Sequence, residues 1–274
     1  MESQWLLPTA VVLALSVYFL KPQQKKSFKS NLTTPNDSKI IVCGGGQKTR
    51  FPNGSPGVCK LIAFLEYNKI PYEYKTTTNF KESPNEKIPF VHYKGQIISD
   101  SHFIIRKLVQ DGLAKDPNAG LNESEIAISE MVRTSFESIL YWGIVKHRWI
   151  NNWEHTKEEY FGKMPAILKW FLPDRIILPH VLANLRAVGT TRYEEGQYDI
   201  LIKEFICNAS VILGSKKYFM GDQITMLDYT AFSNLGNIYH LSKLNGELKA
   251  ELEKYDNLVD YVKRLTPLFK PNKI

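Results

Sequence analysis

Hydrophobic periodicity changes once along this chain, near Asp111, and the change divides what each part can build. Ahead of it, short strand-like runs alternate with helical ones. Ile40-Ile41-Val42-Cys43 reads as a buried strand and Gly44 to Gly54 as a glycine-containing loop. Ser55-Pro56 then supplies an N-cap and a proline at the first helical position, before an apolar face of Val58, Leu61, Ile62 and Leu65. A strand at Tyr72, Tyr74 and Thr76 follows, then a hairpin turning at Lys94-Gly95, then a helix carrying Ile104, Ile105 and Leu108. Parallel strands need the crossover helix and the hairpin adds antiparallel partners, so this part is expected to form a small mixed sheet.

Beyond Asp111 only helical patterns remain. Asn122 with Glu125 makes an N-terminal cap, and Ile128, Met131, Val132, Ser135, Phe136, Ile139, Leu140 and Gly143 trace one stripe toward a core. Tyr198, Leu201, Ile202, Phe205, Ile206 and Ala209 trace another, stopped by Gly214. Thr225 and Asp228 occupy capping-box positions, with Ile224 and Tyr229 as a hydrophobic staple, which predicts a buried helix start. Leu248, Leu252, Tyr255, Val259 and Val262 predict a last helix. The expected class is α/β plus all-α, with domains at 39–112 and 118–274 linked by Asp116-Pro117-Asn118.

With 43% hydrophobic and 12% aromatic residues among 274, the chain can bury a real core and is not a disordered protein. A net charge of +7 raises nucleic acid as a partner, but Lys and Arg are scattered through amphipathic helices, which excludes a basic reading face. Cys43, Cys59 and Cys207 stand far apart, giving neither a disulfide framework nor metal-ligand spacing, and a reducing compartment fits. His92, His102, His147 and His155 are isolated, so no metal site is expected. Gly44-Gly45-Gly46-Gln47-Lys48-Thr49 has Gln47 where a phosphate loop needs glycine. Trp142, Trp149, Trp153 and Trp170 are expected to fill the interface between long helices, with the lining of an apolar pocket as the alternative.

The N-terminus carries a different message. Trp5 to Leu20 is apolar apart from Thr9 and Ser16 and as a helix would span about 24 Å, enough for a thin membrane. Glu2 precedes the run and Phe19-Leu20-Lys21-Pro22 closes it, which argues against a cleaved signal peptide. Residues 1–20 are therefore expected to be a membrane anchor. Lys21, Lys25, Lys26 and Lys29 follow, so the positive-inside rule places the N-terminus outside or in a lumen and the folded part in the cytosol. Asn-x-Ser/Thr triplets starting at Asn31, Asn36, Asn53, Asn122 and Asn208 are then chance matches. Residues 21–38 form a polar, basic tether with an r.m.s. reach of about 25 Å.

One corner of the first domain points to chemistry. In Lys87-Ile88-Pro89 the proline suits a strand's first position, and its preceding peptide bond can be cis. The second hairpin strand ends at Ser99, and Asp100-Ser101 falls where the next helix exposes unpaired N–H groups, a place that attracts a carboxylate.

These residues resemble the glutathione transferase superfamily, and within it the Failed axon connections, metaxin-like and cadmium-responsive group. The resemblance rests on Ser55-Pro56 with Lys60, Asn68-Lys69-Ile70-Pro71-Tyr72-Glu73, Lys87-Ile88-Pro89 and Ser99-Asp100-Ser101-x-Phe103-Ile104-Ile105. Leu140-Tyr141-Trp142, Arg148-Trp149, Gly189-x-x-Arg192 and Tyr218-Phe219-Met220-Gly221-Asp222 extend it, so it covers nearly everything from Ile40 onward. It implies a thioredoxin-like N-terminal domain followed by an all-helical C-terminal domain, and glutathione as cosubstrate. It further implies that the Ile88 backbone pairs with the cysteinyl part, that Pro89 is cis, and that Asp100 and Ser101 hold the γ-glutamyl end. The group's frequent Ser-Pro-x-Cys reads here Ser55-Pro56-Gly57-Val58, so valine stands in the cysteine slot and Cys59 follows it.

A transferase needs a thiolate held by a donor. Ser55 at a helix start has the type and place for that, with an N-cap as its structural alternative. Cys59 is a second candidate, as a redox nucleophile, against simple packing among Val58, Leu61 and Ile62. Two functions are compatible with the resemblance. One is a membrane-tethered protein acting on small electrophiles or in stress defence; the other is a non-catalytic adaptor with a protein partner, at the mitochondrial outer membrane or an endomembrane.

Overall fold

The computed structural model describes residues 39–45 and 51–271; the Trp5 to Leu20 run and its tether lie outside the described residues. Strands β1 (Ile40–Gly44), β2 (Tyr72–Thr76), β3 (Phe90–Tyr93) and β4 (Gln96–Ser99) form one sheet in the order β2-β1-β3-β4. Helix α1 (Pro56–Tyr67) is the crossover, so β1 pairs parallel with β2 (Ile40 opposite Tyr72) and antiparallel with β3 (Val42 opposite Val91). The hairpin closes at Lys94-Gly95, both with positive φ, the geometry a two-residue turn requires for its twist. Helix α2 (Ser101–Gln110) leaves the end of β4 directly. This is a thioredoxin-like βαβ sheet with an added hairpin.

The remainder is helical. Helix α3 (Glu123–Ser135) starts with the Asn122/Glu125 capping box and runs through a wide turn at Phe136–Leu140 into α4 (Tyr141–Lys146). The expected stripe holds in its second half, where Phe136, Leu140 and Gly143 are buried, but not in its first: Ile128 is 51% and Met131 73% exposed, and Ser129 and Arg133 face inward instead. The correction has an electrostatic cause, since Arg133 is tied to Glu130 and Glu137 and is thereby tolerated inside. Helices α5 (Trp153–Phe161), α6 (Ala166–Leu172) and α7 (Leu178–Ala187) follow, then α8 (Gln197–Leu213), which ends at Gly214 with positive φ. The single last helix expected from Leu248 to Val262 is two, α10 (Gly246–Leu252) and α11 (Asp256–Phe269), because the chain turns at Glu253 to Tyr255.

Helix α9 (Met226–His240) lies at the centre and is buried from Met226 to Ile238. Its polar residues are made compatible with burial by bonding back to the helix: Ser233 and Asn234 to the Thr230 carbonyl, Asn237 to the Ser233 carbonyl. At its start the Asp228 carboxylate accepts from the Thr225 amide and hydroxyl on one oxygen, and from the Phe219 amide and Tyr261 hydroxyl on the other. The predicted buried start is thus met, and Asp228 also pins the 218–221 turn and α11.

Candidate functional site

The Ile88–Pro89 peptide is cis. The Pro89 carbonyl accepts from the Asp100 amide at 3.2 Å, so the strand entrance and the helix start are bonded to each other. Asp100 sits at φ +72° in a region that L-residues seldom occupy, and its carboxylate accepts from the His102 amide at 2.8 Å. Ser101 is the first helical residue and is buried. Across from this corner stands the first turn of α1. A Cβ placed on Gly57 would lie 3.1 Å from Pro89 Cδ, 3.6 Å from the Ile88 carbonyl oxygen and 3.9 Å from Ser101 Oγ. Ile88, Pro89 and Ser101 therefore converge on the turn that carries Ser55, and glycine at 57 is what permits the approach.

Ser55 occupies the N-cap position with extended backbone, yet its hydroxyl caps no amide. The chain is held there by other groups. The Ser55 amide donates to Asn53 Oδ1 at 2.8 Å, Asn53 Nδ2 donates to the Tyr74 hydroxyl at 3.0 Å, and that hydroxyl donates to the Gly45 carbonyl. Arg148, itself buried, reaches the Gly54 carbonyl at 2.7 Å while also donating to Asn237 and Asn245. The Ser55 side chain is thus positioned by a network that does not use it.

Cys59 is different. It is fully buried, and burial pushes its thiol well above the ordinary cysteine range, against a smaller lowering by hydrogen bonding to the Asn53 backbone. A nucleophilic thiol needs the opposite shift and an exposed sulfur. Val58, in the family's cysteine slot, is buried as well. Packing accounts for both side chains.

Sequence reasoning gave Lys60 no role, although it interrupts the apolar face of α1. Its side chain is 2% exposed and its Nζ lies 2.8 Å from Glu137 Oε1; Arg133 holds the other Glu137 oxygen. Burial lowers the Lys60 pKa, opposed by Glu137. Burial would raise Glu137, but Lys60 and Arg133 overcome it and hold the carboxyl below its ordinary value. His102 packs beside this group with a buried, unpartnered Nδ1, its pKa lowered by burial and then by Arg133 and Lys60. A charged cluster therefore backs the Asp100-Ser101 corner. Among the described residues no cluster of His, Cys, Asp or Glu could hold a metal ion.

Beside Gly54, the residue before Ser55, stands an aromatic wall. Trp149 stacks on Trp153 at 5.5 Å and on Tyr160 at 6.1 Å, and the Tyr160 hydroxyl would be 3.3 Å from a Cβ on Gly54. Lys87 covers the Trp142 ring at 5.5 Å. Trp170 does not join them: it is 77% exposed, correcting its expected place in the helix interface.

The sequence profile of the glutathione S-transferase N-terminal domain matches residues 56–155, and that of the glutathione S-transferase C-terminal domain matches 202–265. The chain belongs to the glutathione S-transferase superfamily. Its relatives in that superfamily include an isoprene-epoxide–glutathione S-transferase of Rhodococcus sp. (strain AD45), 26% identical over 82% of this chain and 97% of that one. Metaxin-1 of Bos taurus is 27% identical over 77% of this chain and 69% of its own length. Failed axon connections of Drosophila melanogaster is 25% identical over 78% of this chain and 54% of its own. The fold is shared with the β-etherase LigF of Sphingobium sp. strain SYK-6, with a TM-score of 0.60 at 13% identity over 84% of this chain and 97% of that one. Superfamily members thus include both transferases and metaxins.

Proposed function

We propose that this chain is a membrane-tethered member of the superfamily that binds glutathione at the Ile88/Pro89/Ser101 corner and presents its sulfur to Ser55. The observation that carries the reading is the convergence at Gly57: cis-Pro89, the Ile88 carbonyl and the Ser101 hydroxyl all meet the first turn of α1, whose N-cap hydroxyl caps nothing. The Ile88 backbone would pair with the cysteinyl unit. The Asp100 carboxylate suits the γ-glutamyl ammonium, and Ser101 with its helix start suits the carboxylate. Ser55 would donate to the thiolate, and the Trp149/Trp153/Tyr160 wall would receive a small apolar electrophile, as weak conjugation in detoxification or stress defence requires. Trp5 to Leu20 would hold the domain at the cytosolic face of a membrane.

A second reading is a metaxin-like adaptor without turnover. The buried Val58 in the cysteine slot supports it, as does the His102 amide, which is engaged by Asp100 rather than left for a ligand. Titration calorimetry of the full-length chain in detergent micelles separates the two. Glutathione heat that disappears in Asp100→Ala and in Ser101→Ala is the expected result. Silence at millimolar glutathione would leave the adaptor alone.

A further inference from the structure

Arg148 is a buried charge held by neutral groups. It lies in the wide turn His147–Asn151 between α4 and α5 and is 3% exposed. Its Nε donates to Asn245 Oδ1 at 3.0 Å, Nη2 to Asn237 Oδ1 at 2.9 Å, and Nη1 to the Gly54 carbonyl at 2.7 Å and the Tyr160 hydroxyl at 3.4 Å. None of these acceptors is charged, and among the described residues no carboxylate forms an ion pair with the guanidinium. The acid beside this turn, Glu247, lies 3.8 Å from His147 Nδ1 and is 81% exposed. The titratable groups around Arg148 feel its charge. Burial raises the Tyr141 pKa and Arg148 opposes it; burial lowers His147 against Glu247 and Asp199, and Lys146 and Arg148 add to that lowering.

Joining the helical domain to the loop ahead of α1 needs donors, not charge. The Asn237 amide already makes such a joint, donating to the Asn53 carbonyl at 3.2 Å, and a buried cation without a counter-ion costs desolvation that a neutral donor avoids. The charge has a physical reason where an anion forms. Gly54 precedes Ser55, which starts α1, a helix whose amides no side chain caps and whose first turn holds no acid. We propose that Arg148 is a positioning residue for the sulfur of bound glutathione: through the Gly54 carbonyl it fixes Ser55, and its uncompensated charge favours the thiolate over the thiol. The thiol proton passes to solvent water, and Arg148 itself stays a cation throughout. The inference rests on the glutathione reading above.

Ultraviolet thiolate absorption of glutathione bound to the full-length chain in micelles, followed against pH, tests this. In the native chain the bound thiol should titrate below free glutathione. Arg148→Gln should raise that titration by about one pH unit, which is tenfold less thiolate at a fixed lower pH, and Arg148→Lys should restore most of the shift. Should Arg148→Gln fail to fold by circular dichroism, Asn245→Asp decides: it leaves the guanidinium in place and sets a carboxylate against Nε, so the same rise is expected. Affinity for S-methylglutathione, which has no thiol to ionise, should stay native in both. A native titration in Asn245→Asp, or S-methylglutathione binding lost together with the shift, would overturn the proposal and leave Arg148 a structural joint. A native chain that binds glutathione with an unshifted thiol would overturn it while keeping the binding site. Calorimetric silence of the native chain would instead remove the glutathione reading, and this inference with it.

Discussion

Single residues in this molecule separate sharply into those that hold structure and those left available. Ser55 is of the second kind: its hydroxyl caps no amide, while Asn53 and Arg148 fix its backbone. Ser55→Ala is therefore expected to change stability by less than about 0.5 kcal/mol in urea titrations while lowering any glutathione-conjugating rate. A large stability loss would instead show that the hydroxyl is structural. Asp228 is of the first kind. Asp228→Ala leaves the Phe219 and Thr225 amides and the Tyr261 hydroxyl without their buried acceptor, and should cost about 3 kcal/mol or more. Both roles could be read in part from sequence, because helix starts demand specific partners. The fate of Cys59 could not: one turn of helix offers an inside and an outside, and only the docking of α1 chooses.

At the scale of elements, the joint between α1 and the α3–α4 rod is electrostatic. Lys60 is almost wholly buried whereas Glu137 is 39% exposed and keeps Arg133 as a second partner, so the two partners are not equivalent. Glu137→Ala strands a buried ammonium and should cost about 3 kcal/mol, whereas Lys60→Met should cost roughly 1 kcal/mol or less; denaturant midpoints of both variants check the asymmetry. The pH dependence follows from the same group. A carboxyl whose pKa is lower folded than unfolded adds stability that is complete above the unfolded value of about 4.3 and is lost as pH falls through the folded one. Melting temperature should fall through that acid window in the native chain and fall less steeply in Glu137→Gln. Element types were legible from periodicity, as the sheet, α1, α2 and α8 show. The inward face of α3 was not, because an apolar count places Ile128 and Met131 inside, whereas Glu130 and Glu137 on the same rod carry Arg133 inward and Lys60 of α1 meets that same Glu137.

At the scale of the whole molecule, α9 is the shared wall of the sheet domain and the helical domain. Phe51 stacks on His240 and packs on Phe232, Asn237 bonds the Asn53 carbonyl, and Asn68 reaches the Tyr229 hydroxyl. One buried cluster runs from Ile40 through α1 to α9 and α11. The two domains should therefore unfold in a single transition, with circular dichroism and tryptophan fluorescence midpoints coinciding; separated midpoints would show that the shared wall does not couple them. Gly236 makes the same point locally, since a Cβ there would stand 2.6 Å from the Phe51 ring, and Gly236→Ala should lower the common midpoint.

What the amino-acid order determines by itself is local: strands from β-branched runs, helix starts from Ser, Asn, Thr and Asp, the prolyl corner before β3, and an Asp-Ser pair at a helix start. Those features depend on neighbours within a few residues, where backbone hydrogen bonding and sterics act. Tertiary structure decides what depends on residues far apart in the chain. It brings Gly57 against Pro89 and Ser101, buries Lys60 on Glu137 and sends Cys59 inward. It also leaves Trp170 in solvent, because burial and charge pairing are properties of the surfaces that meet and not of the segments that carry them.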